Sequence, residues 1–132
     1  VEGDYLLGSR NWVGESVPAH CSAAGKVLLA FGACSLPRTL TAATTSTITN
    51  YAELEEELRK VRDRKYAVIR NELEQGLVAI SVPVMGDHGI AIGAISVSGP
   101  TERIQVSDEA RIAHLITQEI NQIKRSQHEG AA

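Results

Sequence analysis

The chain has 132 residues, 43% of them hydrophobic and 22% charged, with a net charge of -3. That is apolar material for one compact core and too little length for two, and the acidic balance leaves no broad basic surface to neutralise a phosphate backbone. No apolar run approaches the roughly 18 to 20 residues of a membrane helix and no basic, apolar leader opens the chain, so a soluble, cytoplasmic domain is expected.

The first residue is Val1 and a strand-like stretch follows almost at once, which points to a fragment. Tyr5 to Val13 reads as an edge strand and Gly14-Glu15-Ser16 as a loop. From Ser22 to Phe31 the small and straight-chain residues favour a short, mostly buried helix, with Ser22 as its N-cap and Gly32 ending it. Asn50, with Glu53 three residues on, opens a second helix in which Leu54, Leu58 and Val61 form the buried stripe. Its acidic start and basic end suit the helix dipole, and its charges read as a solvated face.

Strands are expected over Ala67 to Ile69, Leu77 to Val84 and Ile90 to Ser98. The last two flank "MGDHGI" and predict an antiparallel hairpin pairing Met85 with Ile90, Ala79 with Ser96 and Leu77 with Ser98. Alternation then puts Val78, Ile80, Val82, Val84, Ile95 and Val97 on a core face. The other face receives Ala79, Ser81, Ala94, Ser96 and Ser98, which are too small or too polar to fill an interior, so a helix, water or a ligand must sit there. Pro83 lacks a ladder donor and belongs beside an edge or a bulge. Ser107 is expected to cap a last helix whose Ile112, Leu115, Ile116, Ile120 and Ile123 lie on the valine-rich face, with a disordered tail after Arg125.

The stretch "HCSAAGKVLLAF" (20–31) holds the candidate chemistry. A phosphate loop is excluded, since His20 stands where its first glycine belongs and Val27 where its hydroxyl belongs. Cys21 and Cys34 are separated by a helix rising about 1.5 Å per residue, beyond disulfide reach, and read as free thiols. With four scattered histidines they make no zinc set, so no metal or cofactor is expected. Adjacent His20 and Cys21 do not readily share one face, so catalysis is disfavoured; Cys21 reads as a small buried hydrophobe and His20 as a structural hydrogen-bonder. What survives is the helix entrance, where the N–H groups of Ala23, Ala24 and Gly25 suit a carboxylate. Glu72 and Glu74 read as solvated loop residues, and Trp12 as core or interface.

"PAHCSAAGKVLLAF" (18–31), "TITNYAELEEELRKVRDRKYAV" (47–68), "ELEQGLVAISVPV" (72–84) and "GAISVSGPTERI" (93–104) together resemble the effector-binding domain of the IclR family of bacterial transcription factors. The resemblance implies a GAF-like α/β (α+β) domain, a central, mainly antiparallel sheet flanked by helices, spanning 1–132 and truncated at its N-terminus. It implies a homo-oligomer, dimer or tetramer, that binds a small-molecule effector, a carboxylic acid, and meets DNA only through an absent winged helix-turn-helix domain. Its effector contacts fall on Ala23, Ala24, Ser96 and Ser98, with Ala79 and Ile69 at two positions that are polar in family members. Those apolar replacements favour an acid with an apolar or aromatic body over a glyoxylate- or pyruvate-like one. The expected role is therefore ligand sensing without chemistry. The alternatives are an oligomerisation module with a vestigial pocket and a hydrolase using Cys21 or a serine.

Overall fold

A computed structural model describes the backbone of residues 17–131 and the side chains of 17–127. The expected Tyr5–Val13 strand, the loop after it and Trp12 lie outside the described residues. A single 3₁₀ turn, Ala19–Cys21, leads into helix α1, Ala23–Ala30. The Ser22 hydroxyl accepts from the Gly25 N–H at 3.0 Å, satisfying one of the amides that a helix start leaves unpaired. At the other end Gly32 adopts φ +78°, the left-handed geometry that stops a helix. Gly25 is required for a different reason: a Cβ there would stand 2.3 Å from the Ala19 carbonyl oxygen.

Helix α2, Tyr51–Arg64, is capped as its sequence indicates, with the Asn50 side chain accepting from the Ala52 and Glu53 N–H groups. Leu54, Leu58 and Val61 are buried and pack on Val27, Leu29 and Ala30 of α1, together with Leu40 and Ala67. Among the described residues the sheet has the order β1-β2-β3, with β1 Ala67–Arg70, β2 Leu77–Met85 and β3 Ala91–Pro100, all antiparallel.

The β2–β3 register differs from expectation by two residues. Leu77 faces Pro100, Ala79 faces Ser98 and Met85 faces Ala91. The turn Asp87–Gly89 closes with Gly86 N–H donating to the Ile90 carbonyl, and a bulge at Val84/Met85 absorbs the remaining offset. A slip of two leaves every side chain on its predicted face. Pro83 sits beside that bulge and beyond the last β1 pair, Ala67 with Ser81, so its missing N–H faces no neighbouring strand.

Helix α3, Glu109–Ala131, covers the valine-rich face, where Ala113, Ile116 and Ile120 pack on Val68, Val78, Ile80 and Val82. Four sequence expectations are corrected here. The α3 entrance is closed by Gln105 and Asp108, not Ser107: a 3₁₀ turn, Val106–Asp108, precedes the helix and the Asp108 carboxylate accepts from the Gln105 N–H. The helix then continues through the tail expected to be disordered, since nothing between Arg125 and Gly130 breaks it. Its buried stripe is also turned, so that Leu115 and Ile123 are about half exposed while Ala113 is buried. On the same sheet face Ile95 and Val97 are exposed rather than core, because α3 lies over β1 and β2.

Candidate functional site

The second sheet face, small and hydroxylated, is covered by the entrance to α1. Cys21 and Ala23 share one buried cluster with Ile69, Leu73, Leu77 and Ala79. Ile69 pairs with Ala79 and Ala79 with Ser98, so these three form a row across the sheet under the helix tip. Ala67, Ser81 and Ser96 form the next row. Ser81 is fully buried, and the Ser96 hydroxyl donates to it at 2.9 Å.

The structure thus brings Ala23, Ile69, Ala79 and Ser98 together, with Ala24 half-buried at the tip and Ser96 one row away on the more exposed strand. Gly25 stands apart, since its N–H is committed to Ser22 and the space above its Cα is filled by Ala19. Its role is close packing of the turn against the helix. Ser81 is a residue that sequence reasoning placed on this face without assigning it to the site.

His20 and Cys21 do not form a catalytic pair. The His20 Nε2 bonds to the Thr41 carbonyl at 2.9 Å, and the Cys21 thiol is directed at the Pro18 carbonyl, 3.9 Å away. Burial, aided by the Glu72 charge, pushes the Cys21 thiol up to about 11, so at neutral pH it is not the thiolate that nucleophilic attack requires. Cys34 is exposed and both thiols are free. The His20 Nδ1 is buried beside the helix entrance and has no hydrogen-bond partner among the described residues. Among the described residues no group of three His, Cys, Asp or Glu could hold a metal ion, and no helix is long and apolar enough to cross a membrane.

The main feature missed in the sequence is Lys26. It is fully buried, and its ammonium donates to Glu57 Oε2 at 2.9 Å and to Glu72 Oε1 at 2.7 Å. Glu72 was expected to be solvated, and the structure corrects this: its loop is held by Thr47, whose hydroxyl donates to the Glu72 carbonyl at 2.6 Å. Burial raises the Glu72 carboxyl above its ordinary value despite the pull of Lys26. Glu74 is likewise partly buried, with Oε1 unpartnered among the described residues. On α2 the charges do form a solvated face, Arg59 pairing with Glu56 and Asp63, except that Glu57 turns inward. The signal was a lysine inside the apolar run "AAGKVLLA", which can be buried only if carboxylates meet it.

The profile of the family described as "Bacterial transcriptional regulator IclR C-terminal" matches residues 1–125. The chain belongs to this family. It is similar to SauR of Cupriavidus necator, named as a transcriptional regulator, with 40% identity over 112 residues, 79% of this chain and 44% of that protein. It is also similar to the p-hydroxybenzoate hydroxylase transcriptional activator of Acinetobacter baylyi, with 35% identity over 103 residues, 70% of this chain and 36% of that protein. The chain therefore spans less than half the length of these curated relatives. Among solved structures, an Acinetobacter PobR inducer-binding domain, a double mutant in complex with 3-hydroxybenzoic acid, superposes with TM-score 0.72 at 30% identity, over 83% of this chain and 67% of that one. These relatives are named as regulators, in agreement with the reading against an enzyme, and the α+β architecture is that of the IclR C-terminal domains.

Proposed function

We propose that this chain is the effector-sensing domain of a cytoplasmic transcriptional regulator, and that its effector is an organic acid with an apolar or aromatic body. The carboxylate would meet the Ala23 and Ala24 N–H groups and the Ser96 and Ser98 hydroxyls, while Ile69 and Ala79 would receive the body. A carboxylate at a helix entrance gains from unpaired amides and from the dipole together. The observation that carries this reading is the Ile69–Ala79–Ser98 row lying under the tip of α1, apolar at one end and hydroxylated at the other. The PobR relative, whose structure holds 3-hydroxybenzoic acid, supports an aromatic acid in particular. Binding would shift the balance between arrangements of a homo-oligomer, dimer or tetramer, and so the spacing of DNA-binding domains outside this chain.

Thermal unfolding against a panel of aliphatic and aromatic acids tests it, because selective binding to the folded state raises the melting temperature. Aromatic acids are expected to raise it more than glyoxylate or pyruvate, and Ser96→Ala with Ser98→Ala to weaken the response. A flat response across the panel would favour the alternative, an oligomerisation module whose pocket no longer binds.

A further inference from the structure

At the opposite end of α1 from the proposed effector contacts lies a half-open cavity of about 240 Å³. Continuing the β1–β2 register past Ala67 and Ser81 would set residue 65 beside Pro83. The ladder stops short of that pair because Lys65, ending α2, adopts a left-handed φ of 73°. Together with the neighbouring bulge at Val84/Met85, this opens a gap between the sheet and α3.

The floor of the gap is apolar, formed by Phe31, Val82, Met85 and Ile120. Among the described residues its only ionisable lining groups are two ammoniums, Lys65 and Lys124, and none of those lining it is acidic. The Lys65 ammonium lies 5.8 Å from the Phe31 ring centre and donates to the Arg62 carbonyl; Lys124 donates to the Met85 carbonyl at 3.1 Å. An ammonium has three donors, so each keeps hydrogens free for a ligand. Lysine is a poor residue for left-handed backbone, where glycine or asparagine is usual. Its presence here places a cation at the rim that neither of those would supply.

We propose that this cavity is a second small-molecule site, taking a one-ring organic carboxylate with its ring on the apolar floor and its charge between Lys65 and Lys124. The volume suits a single ring, and the two ammoniums among the described lining residues favour an anion over a neutral or cationic guest. The site shares no residue with the proposed effector contacts and does not depend on them.

Met85 is the chain's one methionine, so its methyl resonance is a unique reporter. Benzoate titrated into the 132-residue chain is expected to shift the Met85 methyl and the Thr117 and Asn121 amides saturably, with benzamide binding about tenfold more weakly or worse. Lys65→Asn, which suits the left-handed backbone, combined with Lys124→Gln, should weaken benzoate by a similar factor, while Ser96→Ala with Ser98→Ala leaves these shifts unchanged. Should the double lysine variant unfold, Lys124→Gln alone, on an exposed helix face, makes the same comparison. Shifts that never saturate, that benzamide reproduces with equal affinity, or that survive loss of the lysines overturn the proposal.

Discussion

The ammonium of Lys26 sits 2.7 Å from Oε1 of Glu72, a residue 46 positions later in the chain, and the same ammonium reaches Glu57 on α2. One side chain therefore ties α1 to α2 and to the loop between β1 and β2. Lys26→Met leaves two carboxylates facing each other without a cation, and is expected to cost about 3 kcal/mol in urea unfolding. Glu72→Gln should cost about 1 kcal/mol, because Lys26 keeps Glu57 and the Glu72 carboxylate is already disfavoured by burial. Equal losses in the two variants would contradict this assignment.

Alkaline stability should report Cys21. The thiol rises from an ordinary 9.0 to about 11 in the fold. Below pH 9 it is protonated in both states and costs nothing. Between pH 9 and 11 the unfolded chain releases its proton while the folded one holds it, so stability falls as pH rises, by up to about 2 kcal/mol. Urea unfolding from pH 8 to 11 should show this loss in the native sequence and a shallower one in Cys21→Ala. In the folded chain a thiol reagent should modify exposed Cys34 well before Cys21.

Gly25→Ala should be costly although alanine is the better helix former. The added methyl meets backbone, the Ala19 carbonyl oxygen at 2.3 Å and its Cα at 2.5 Å, and backbone cannot swing aside as a side chain can. A loss of about 2 to 3 kcal/mol is expected from overpacking, read as a lower melting temperature.

The phase of α3 can be checked by substitution. Ile116→Ala and Ile120→Ala each remove buried side chains and should cost about 2 to 4 kcal/mol. Leu115→Ser and Ile123→Ser alter half-exposed positions and should stay within about 0.5 kcal/mol. Comparable losses at all four positions in urea unfolding would put the helix back in the orientation that its hydrophobic pattern alone suggests.

Local chemistry was legible at most places where a residue acts on its neighbours, the cap of α3 excepted. Ser22 and Asn50 cap the helices they precede, Pro83 falls beside a bulge, and the alternation of β2 sorts its two faces correctly. Non-local geometry was not. The hairpin register depended on how many residues the turn at Asp87 uses, and the face of α3 on which strands it crosses. The convergence of Ala23 with Ile69 and Ala79 was anticipated from the small-residue face and from family resemblance, whereas Lys26 was passed over because its partners lie 31 and 46 residues away. Glu72 looked solvated for the same reason: no short-range pattern announces a distant cation.

Because the Lys26 ammonium has no solvent exposure, dissolved ions cannot gather round it as they do round Arg59, whose side chain and that of Glu56 are half open to water. Rising salinity would loosen the outer pairs of α2 and leave the inner rivet untouched. The seating of α1 against α2 and the sheet is thus set by a bond that the ionic composition of its surroundings does not reach.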